Sequence, residues 1–293
     1  MNRTAIFPVS VTFPRASSWA IGLCLAAANA TAQTGGAPGP VERGRYLVEG
    51  IMGCGNCHTP TGPDGAIAGL TLAGGAPFIE KSFSAYGANI TPDPETGIGR
   101  WTDEQLITAI REGKRPDGSL IGPPMPFGFY RQIGDSDVRA VVAYLRTVPP
   151  VKKSPPKSEY RMPLPPAWGP PVKSVADIPP STSLAYGAYL AGPLGHCLQC
   201  HATPDERGVP DVVKGLGGGG MTFHGPWGVS AAPAITGAAL ARYSDEALKQ
   251  IITTGMRPDG TRLKPPMGTA YYARMSTADQ DTLVRYLRSL KPQ

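Results

Sequence analysis

Apolar residues along this chain recur at helical spacing in a few short stretches, separated by runs rich in glycine and proline. Between Val41 and Met52 the positions Val41, Tyr46-Leu47-Val48 and Ile51-Met52 suit one face of a helix. Another helix is predicted to open at Thr102, an N-cap whose capping box is completed by Gln105, with Trp101 and Leu106 set to staple that end. Tyr243, Ser244 and Leu248 repeat the arrangement without the glutamine. Two more helices are expected over residues 136–146, starting near Asp135 and stopping before Pro149, and over residues 278–289. The first and last helices of each half carry an apolar stripe and should cross. No stretch alternates convincingly as a strand would, so the pattern predicts an all-α fold of short helices and long loops.

The pattern occurs twice. Arg45-Tyr46-Leu47 corresponds to Ala188-Tyr189-Leu190, and Trp101-Thr102-Asp103-Glu104 to Tyr243-Ser244-Asp245-Glu246. Arg115-Pro116-Asp117-Gly118 recurs as Arg257-Pro258-Asp259-Gly260, Pro123-Pro124-Met125 as Pro265-Pro266-Met267, and Tyr144-Leu145-Arg146 as Tyr286-Leu287-Arg288. The offset is 142 or 143 residues throughout, which indicates a tandem duplication. The expected organisation is a leader over residues 1–32, one domain over 37–150, a proline-rich linker over 151–180 and a second domain over 181–293. Tyr160, Met162, Leu164 and Trp168 give that linker apolar side chains to bury, so it reads as a strap laid over one domain.

Composition sharpens this picture in two places. The 37 glycines and 33 prolines among 293 residues suit a domain whose core is largely a cofactor. The formal charge of +6 is mild, and no basic run with interleaved aromatics is present, so nucleic acid is not an expected partner. At the amino terminus, Arg3 and Arg15 precede an apolar run from Trp19 to Ala28 and small residues around Ala30 and Ala32, the pattern of an export signal. That run is short for a membrane span, so the mature chain is expected in the periplasm, with any membrane association peripheral. Cys24 falls in the leader, which leaves four cysteines, and none for a structural disulfide.

Those four lie in Cys54-Gly55-Asn56-Cys57-His58 and Cys197-Leu198-Gln199-Cys200-His201. Each pentapeptide reads as a site for covalent attachment of haem c. Two thiols three residues apart on a helical turn project to the same side, where each can form a thioether to one haem vinyl group. The next residue, His58 or His201, can then bind the iron through Nε2. A zinc or thiol-redox Cys-x-x-Cys pair is the competing reading, and the repetition of the whole context favours haem.

Opposite the histidine, Met125 and Met267 are the candidate second ligands. Each follows Pro-Pro in a loop between the last two helices of its half, and the prolines stiffen its approach. Methionine sulfur favours reduced iron and suits a carrier. His224, beside the glycine run 217–220, is an alternative ligand to Met267, and its plainer reading is a loop or propionate-contacting histidine. His196 is expected at the surface or just outside the ligand set. Arg115 and Arg257 could donate to haem propionates, although the following Pro-Asp-Gly is equally explained as a turn.

Each half resembles a class I cytochrome c domain. The first also resembles the cytochrome c subunits of periplasm-facing alcohol, gluconate and aldehyde dehydrogenases, through Gly53 to Pro60, Asn89-Ile90-Thr91-Pro92-Asp93, Gly97-Ile98-Gly99-Arg100-Trp101 and Pro124-Met125-Pro126. Those subunits carry three haem motifs, and this chain has two. The resemblance implies a non-enzymatic electron carrier with two covalent haems, a dehydrogenase as donor and a cytochrome or oxidase as acceptor. The rival reading is a dihaem enzyme such as a peroxidase, with one reactive haem.

Overall fold

In the computed structural model, which describes residues 38–291 apart from 63, 64, 207 and 226, helix α1 (Pro40–Tyr46) widens into a π-turn (Leu47–Ile51) and leads to the short helix α2 (Gly55–His58). The expected leader, residues 1–32 with Cys24, lies outside the described residues. The apolar stretch is helical as far as Gly50, which leaves helical geometry and kinks the chain before it turns toward Cys54. Hairpins β1–β2 (Thr61–Gly62, Gly65–Ala66) and β3–β4 (Pro77–Ile79, Phe83–Tyr86) follow, then helices α3 (Asp103–Glu112), α4 (Phe127–Tyr130) and α5 (Asp135–Leu145). Strand β5 (Glu159–Tyr160) pairs with β4.

Beyond residue 180 come α6 (Leu184–Tyr189), a second π-turn (Leu190–Leu194) and α7 (Cys197–Cys200). Hairpin β6–β7 (Thr222–Gly225, Gly228–Ala231) and helices α8 (Gly237–Leu240), α9 (Asp245–Thr254), α10 (Thr269–Tyr272) and α11 (Thr277–Ser289) complete the chain. Every strand is two to four residues long, too short for alternation to register in sequence. The capping box at α3 forms as read: Thr102 Oγ1 accepts from the Gln105 amide, and Gln105 Oε1 accepts from the Thr102 amide at 2.8 Å. Among the described residues no helix is long and apolar enough to cross a membrane.

Two helix crossings build the interior. Helix α1 lies so close to α5 that a Cβ on Gly44 would overlap the Ala140 carbonyl. Helix α6 approaches α11 similarly, with Gly187 leaving only 2.5 Å between its would-be Cβ and that of Tyr286. Leu47, Val48, Ile51, Val138, Val141 and Val142 fill the first crossing, and Leu190, Leu194, Leu283, Val284 and Leu287 the second, in one continuous buried cluster.

Polar pairs bridge the two crossings inside that cluster. Tyr189 Oη on α6 donates to Asp137 on α5 at 2.8 Å and accepts from the Gly134 amide. Tyr46 Oη on α1 donates to Asp279 on α11 and accepts from the Ser276 amide. Arg43 closes the Asp137 group with two bonds at 2.7 and 2.9 Å, so that buried carboxylate is fully paired.

The proline-rich segment runs along the first half. Asn89 Nδ2 donates to the Val151 and Lys153 carbonyls, and Tyr160 Oη donates to Pro123 O. Trp168 stacks on Phe127 at 5.6 Å and donates its indole N–H to Ile121 O. Near its end, Ser174 Oγ and the Val175 amide donate to Asp135, which also pairs with Arg111 at 2.7 Å.

Substituting Gly44→Ala or Gly187→Ala should each lower the unfolding free energy by about 1–3 kcal/mol, because the added methyl forces two helix backbones apart. Chemical denaturation of the two variants checks it. A second expectation concerns acid. Hydrogen bonds from Ser174, then from Arg111, hold the Asp135 carboxyl down to about 2. The unfolded chain takes up that proton nearer the ordinary 3.8, so the stabilisation is complete above that value and is lost as pH falls through about 2. Hydrogen exchange across residues 172–177 should rise over that window, and Asp135→Asn should raise it already at neutral pH.

Candidate haem-attachment sites

Helix α2 is a single turn capped by Cys54, and α7 a single turn opened by Cys197. In each, the two cysteines fall one turn apart, and none of the four thiols is in a disulfide. All four are half-buried. Burial pushes the Cys54, Cys57 and Cys197 thiols up to about 12 and Cys200 to about 11. Among the described residues no three His, Cys, Asp or Glu side chains gather around either pair as a tetrahedral zinc site would need.

The histidines are oriented by backbone. His58 Nδ1 lies 2.8 Å from the Ala88 carbonyl, and His201 Nδ1 lies 2.7 Å from the Pro233 carbonyl. A carbonyl can only accept, so Nδ1 carries the proton and Nε2 keeps its lone pair for a metal. Burial lowers the pKa of both rings, which keeps them neutral and able to ligate. Sequence reading missed Ala88 and Pro233, since the contact uses only their carbonyls. The nearest signal was glycine. A Cβ on Gly87 would overlap the Cys57 carbonyl, and the Gly74 amide donates to His58 O at 2.7 Å. In the second half the Gly219 amide donates to His201 O at 2.9 Å. The motif 89–93 secures this loop, since Asn89 Oδ1 accepts from the Thr91 amide and hydroxyl while its amide reaches the strap.

Met125 and Met267 are half-buried against the core, each two residues before a short helix, α4 or α10. Those helices bring a buried tyrosine near each cysteine pair. Tyr130 lies within electrostatic range of Cys54 and Cys57, and Tyr272 within range of Cys197 and Cys200. Ile51 Cδ1 lies 3.0 Å from where Gly195 would carry a Cβ, so the segments leading into the two cysteine turns are neighbours.

Four other residues resolve plainly. His224 is exposed on β6, opposite Val229 in the hairpin. Arg115 and Arg257 point into their own turns, donating to Ser119 Oγ and Leu120 O, and to Thr261 Oγ1 and Arg262 O. The turn explanation of Pro-Asp-Gly accounts for both. His196 is half-buried just outside the Cys197 turn, the second of its two expected places, edge-on to Tyr130 at 5.8 Å and against the Met52 backbone.

The cytochrome c family profile matches residues 41–149. Over 262 residues the chain is 32% identical to a subunit of nicotinate dehydrogenase from Pseudomonas putida, covering 86% of this chain and 21% of that one. It is 32% identical over 267 residues to the fructose dehydrogenase cytochrome subunit of Gluconobacter japonicus, covering 85% of this chain and 52% of the relative. It is 31% identical over 234 residues to a diheme cytochrome c-type protein of Cereibacter sphaeroides, covering 76% of each. The chain thus spans about a fifth of the first relative and about half of the second.

Substituting Gly87→Ala should displace the loop that presents Ala88 to His58. If both turns tether haem, haem content should fall by about half, with the remaining haem on the Cys197–Cys200 peptide. Haem quantification and peptide mass spectrometry check this.

Proposed function

This chain belongs to the cytochrome c family, and on that premise we propose that it is a periplasmic dihaem carrier passing single electrons from a dehydrogenase to a downstream cytochrome or oxidase. Membership implies covalently bound haem c and electron transfer, and the chain is an electron-transfer protein, not an enzyme. The number of haems, their ligands and the direction of transfer are the proposal. So are the two tandem domains, 37–150 and 181–293, and export by the leader.

One observation carries the reading. Both Cys-x-x-Cys-His turns are helical, with unpaired thiols and an imidazole whose Nδ1 is already engaged by a carbonyl. Bound haem iron supplies the one-electron couple. Cys54 and Cys57, and likewise Cys197 and Cys200, would tether it, and His58 and His201 would ligate through Nε2. Met125 and Met267 offer sulfur from loops stiffened by paired prolines. The carbonyl on each Nδ1 fixes ring orientation and raises ligand basicity. Fixed ligands keep geometry constant between oxidation states, as a carrier requires. The donor class follows the names of the relatives, several of which are dehydrogenase subunits.

Spectra of the exported protein, oxidised, reduced, and reduced under carbon monoxide, test this with haem quantified per chain. Two covalent low-spin haems that ignore carbon monoxide are expected, and Met267→Ala should open one of them. A native haem that binds carbon monoxide would overturn the pure-carrier reading.

A further inference from the structure

The residues that flank Met267 are held in part by the first cysteine turn, which lies in the other half of the chain. Asn56, between the two tethering cysteines, donates its side-chain amide to Pro266 O at 3.1 Å. Its carboxamide also packs 3.6 Å from the position a Cβ would take on Gly268. Gly55 is a glycine because Tyr271 covers it: a Cβ there would lie 2.6 Å from the Tyr271 hydroxyl and 3.0 Å from its ring. Gly53 meets the same ring at 3.4 Å. Behind them, Arg274 pairs with Glu49 at 3.2 Å, at the end of the first helix. Residues 266, 268, 271 and 274 thus rest on residues 49–56.

The second attachment turn receives the mirror contacts. Tyr130 meets His196 edge-on, and Phe129 comes within 3.6 Å of where Gly192 would carry a Cβ. Both aromatics lie on α4, directly after Met125. The short helix that follows each methionine therefore packs beside the other half's cysteine turn, and at Met267 the loop itself is also bonded to that turn.

We propose that Asn56 and Tyr271 are positioning residues for Met267, so that methionine ligation at the second haem is set by the first haem's attachment turn. The proposal rests on Met267 being the second haem's ligand. The physical case is that residues 263–268 form no helix or strand, so external partners fix their shape. Two successive carbonyls ahead of Met267 have them: Pro265 O accepts from Ser230 Oγ at 2.6 Å and Pro266 O from Asn56. A thioether on a loop stays on the iron only as firmly as the loop is held. Loss of the Asn56 contact raises the population in which the sulfur has left. A net hydrogen bond is worth about three- to tenfold in that population.

The test uses the full-length, haem-loaded protein with Asn56→Ala, Tyr271→Phe and Tyr271→Ala, and Met267→Ala and Met125→Ala as references. The readouts are haem per chain, the sulfur-to-iron charge-transfer band, carbon monoxide binding after reduction, and the two midpoint potentials. The expected result is two haems still attached and about three- to tenfold more carbon monoxide binding in Asn56→Ala, matching the Met267→Ala spectrum. One potential falls and the other holds. Should Met267→Ala itself leave both haems closed, the ligand assignment fails and this inference with it. Should Met267→Ala open a haem while the Asn56 and Tyr271 variants stay closed, the inference alone is overturned. A haem opened with the Met125→Ala signature also overturns it, since the turn would then act on its own site.

Discussion

A neutral imidazole has one proton and two nitrogens, and whatever takes the proton decides which nitrogen a metal can use. Here a backbone carbonyl takes it twice, Ala88 O at His58 and Pro233 O at His201. Much of the surrounding loop structure serves to bring those carbonyls in. Gly87 allows the chain to press against Cys57, Asn89 ties the loop to the proline-rich segment, and the His58 and His201 carbonyls are themselves capped by glycine amides. Moving either loop would free the ring and leave a buried N–H without a partner, which costs about 1–3 kcal/mol.

The halves meet through a similar use of backbone groups. Tyr46 reaches Asp279 and Tyr189 reaches Asp137, each tyrosine also accepting from a backbone amide at the start of the helix it visits. Buried carboxylates are costly when unpaired, so these contacts define one relative placement of α1, α5, α6 and α11 and penalise others. That placement sets the segments leading into the two cysteine turns side by side and lets each turn lean on the helix that follows the other's methionine.

Much of this was legible in the residue pattern, and the remainder was hidden for identifiable reasons. Thr102 and Gln105 announce α3 because a capping box is local chemistry, and α5 and α11 begin within a residue of where their stripes begin. The cysteine and histidine spacing announces the single helical turns α2 and α7 for the same reason. The short strands escaped notice because two to four residues cannot show alternation. The carbonyl partners of the histidines escaped because a backbone group leaves no mark on residue identity. Asn56 and Gly55 escaped because their partners lie more than 200 residues away, at Pro266 and Tyr271. For Arg115 a propionate donor and a turn residue read equally well, because charge and the Pro-Asp-Gly run fit both, and the turn contacts with Ser119 and Leu120 show the guanidinium engaged there.

The proline-rich segment bonds backward along the chain. From Val151 to Asp177 its hydrogen bonds go to residues between Gly74 and Ser136, all of them earlier in the sequence. A chain made from its amino terminus has therefore emitted every one of these partners before Leu184 emerges. The first half can wrap itself while its later neighbour is still being synthesised. Asp279 arrives last, to a Tyr46 already in place.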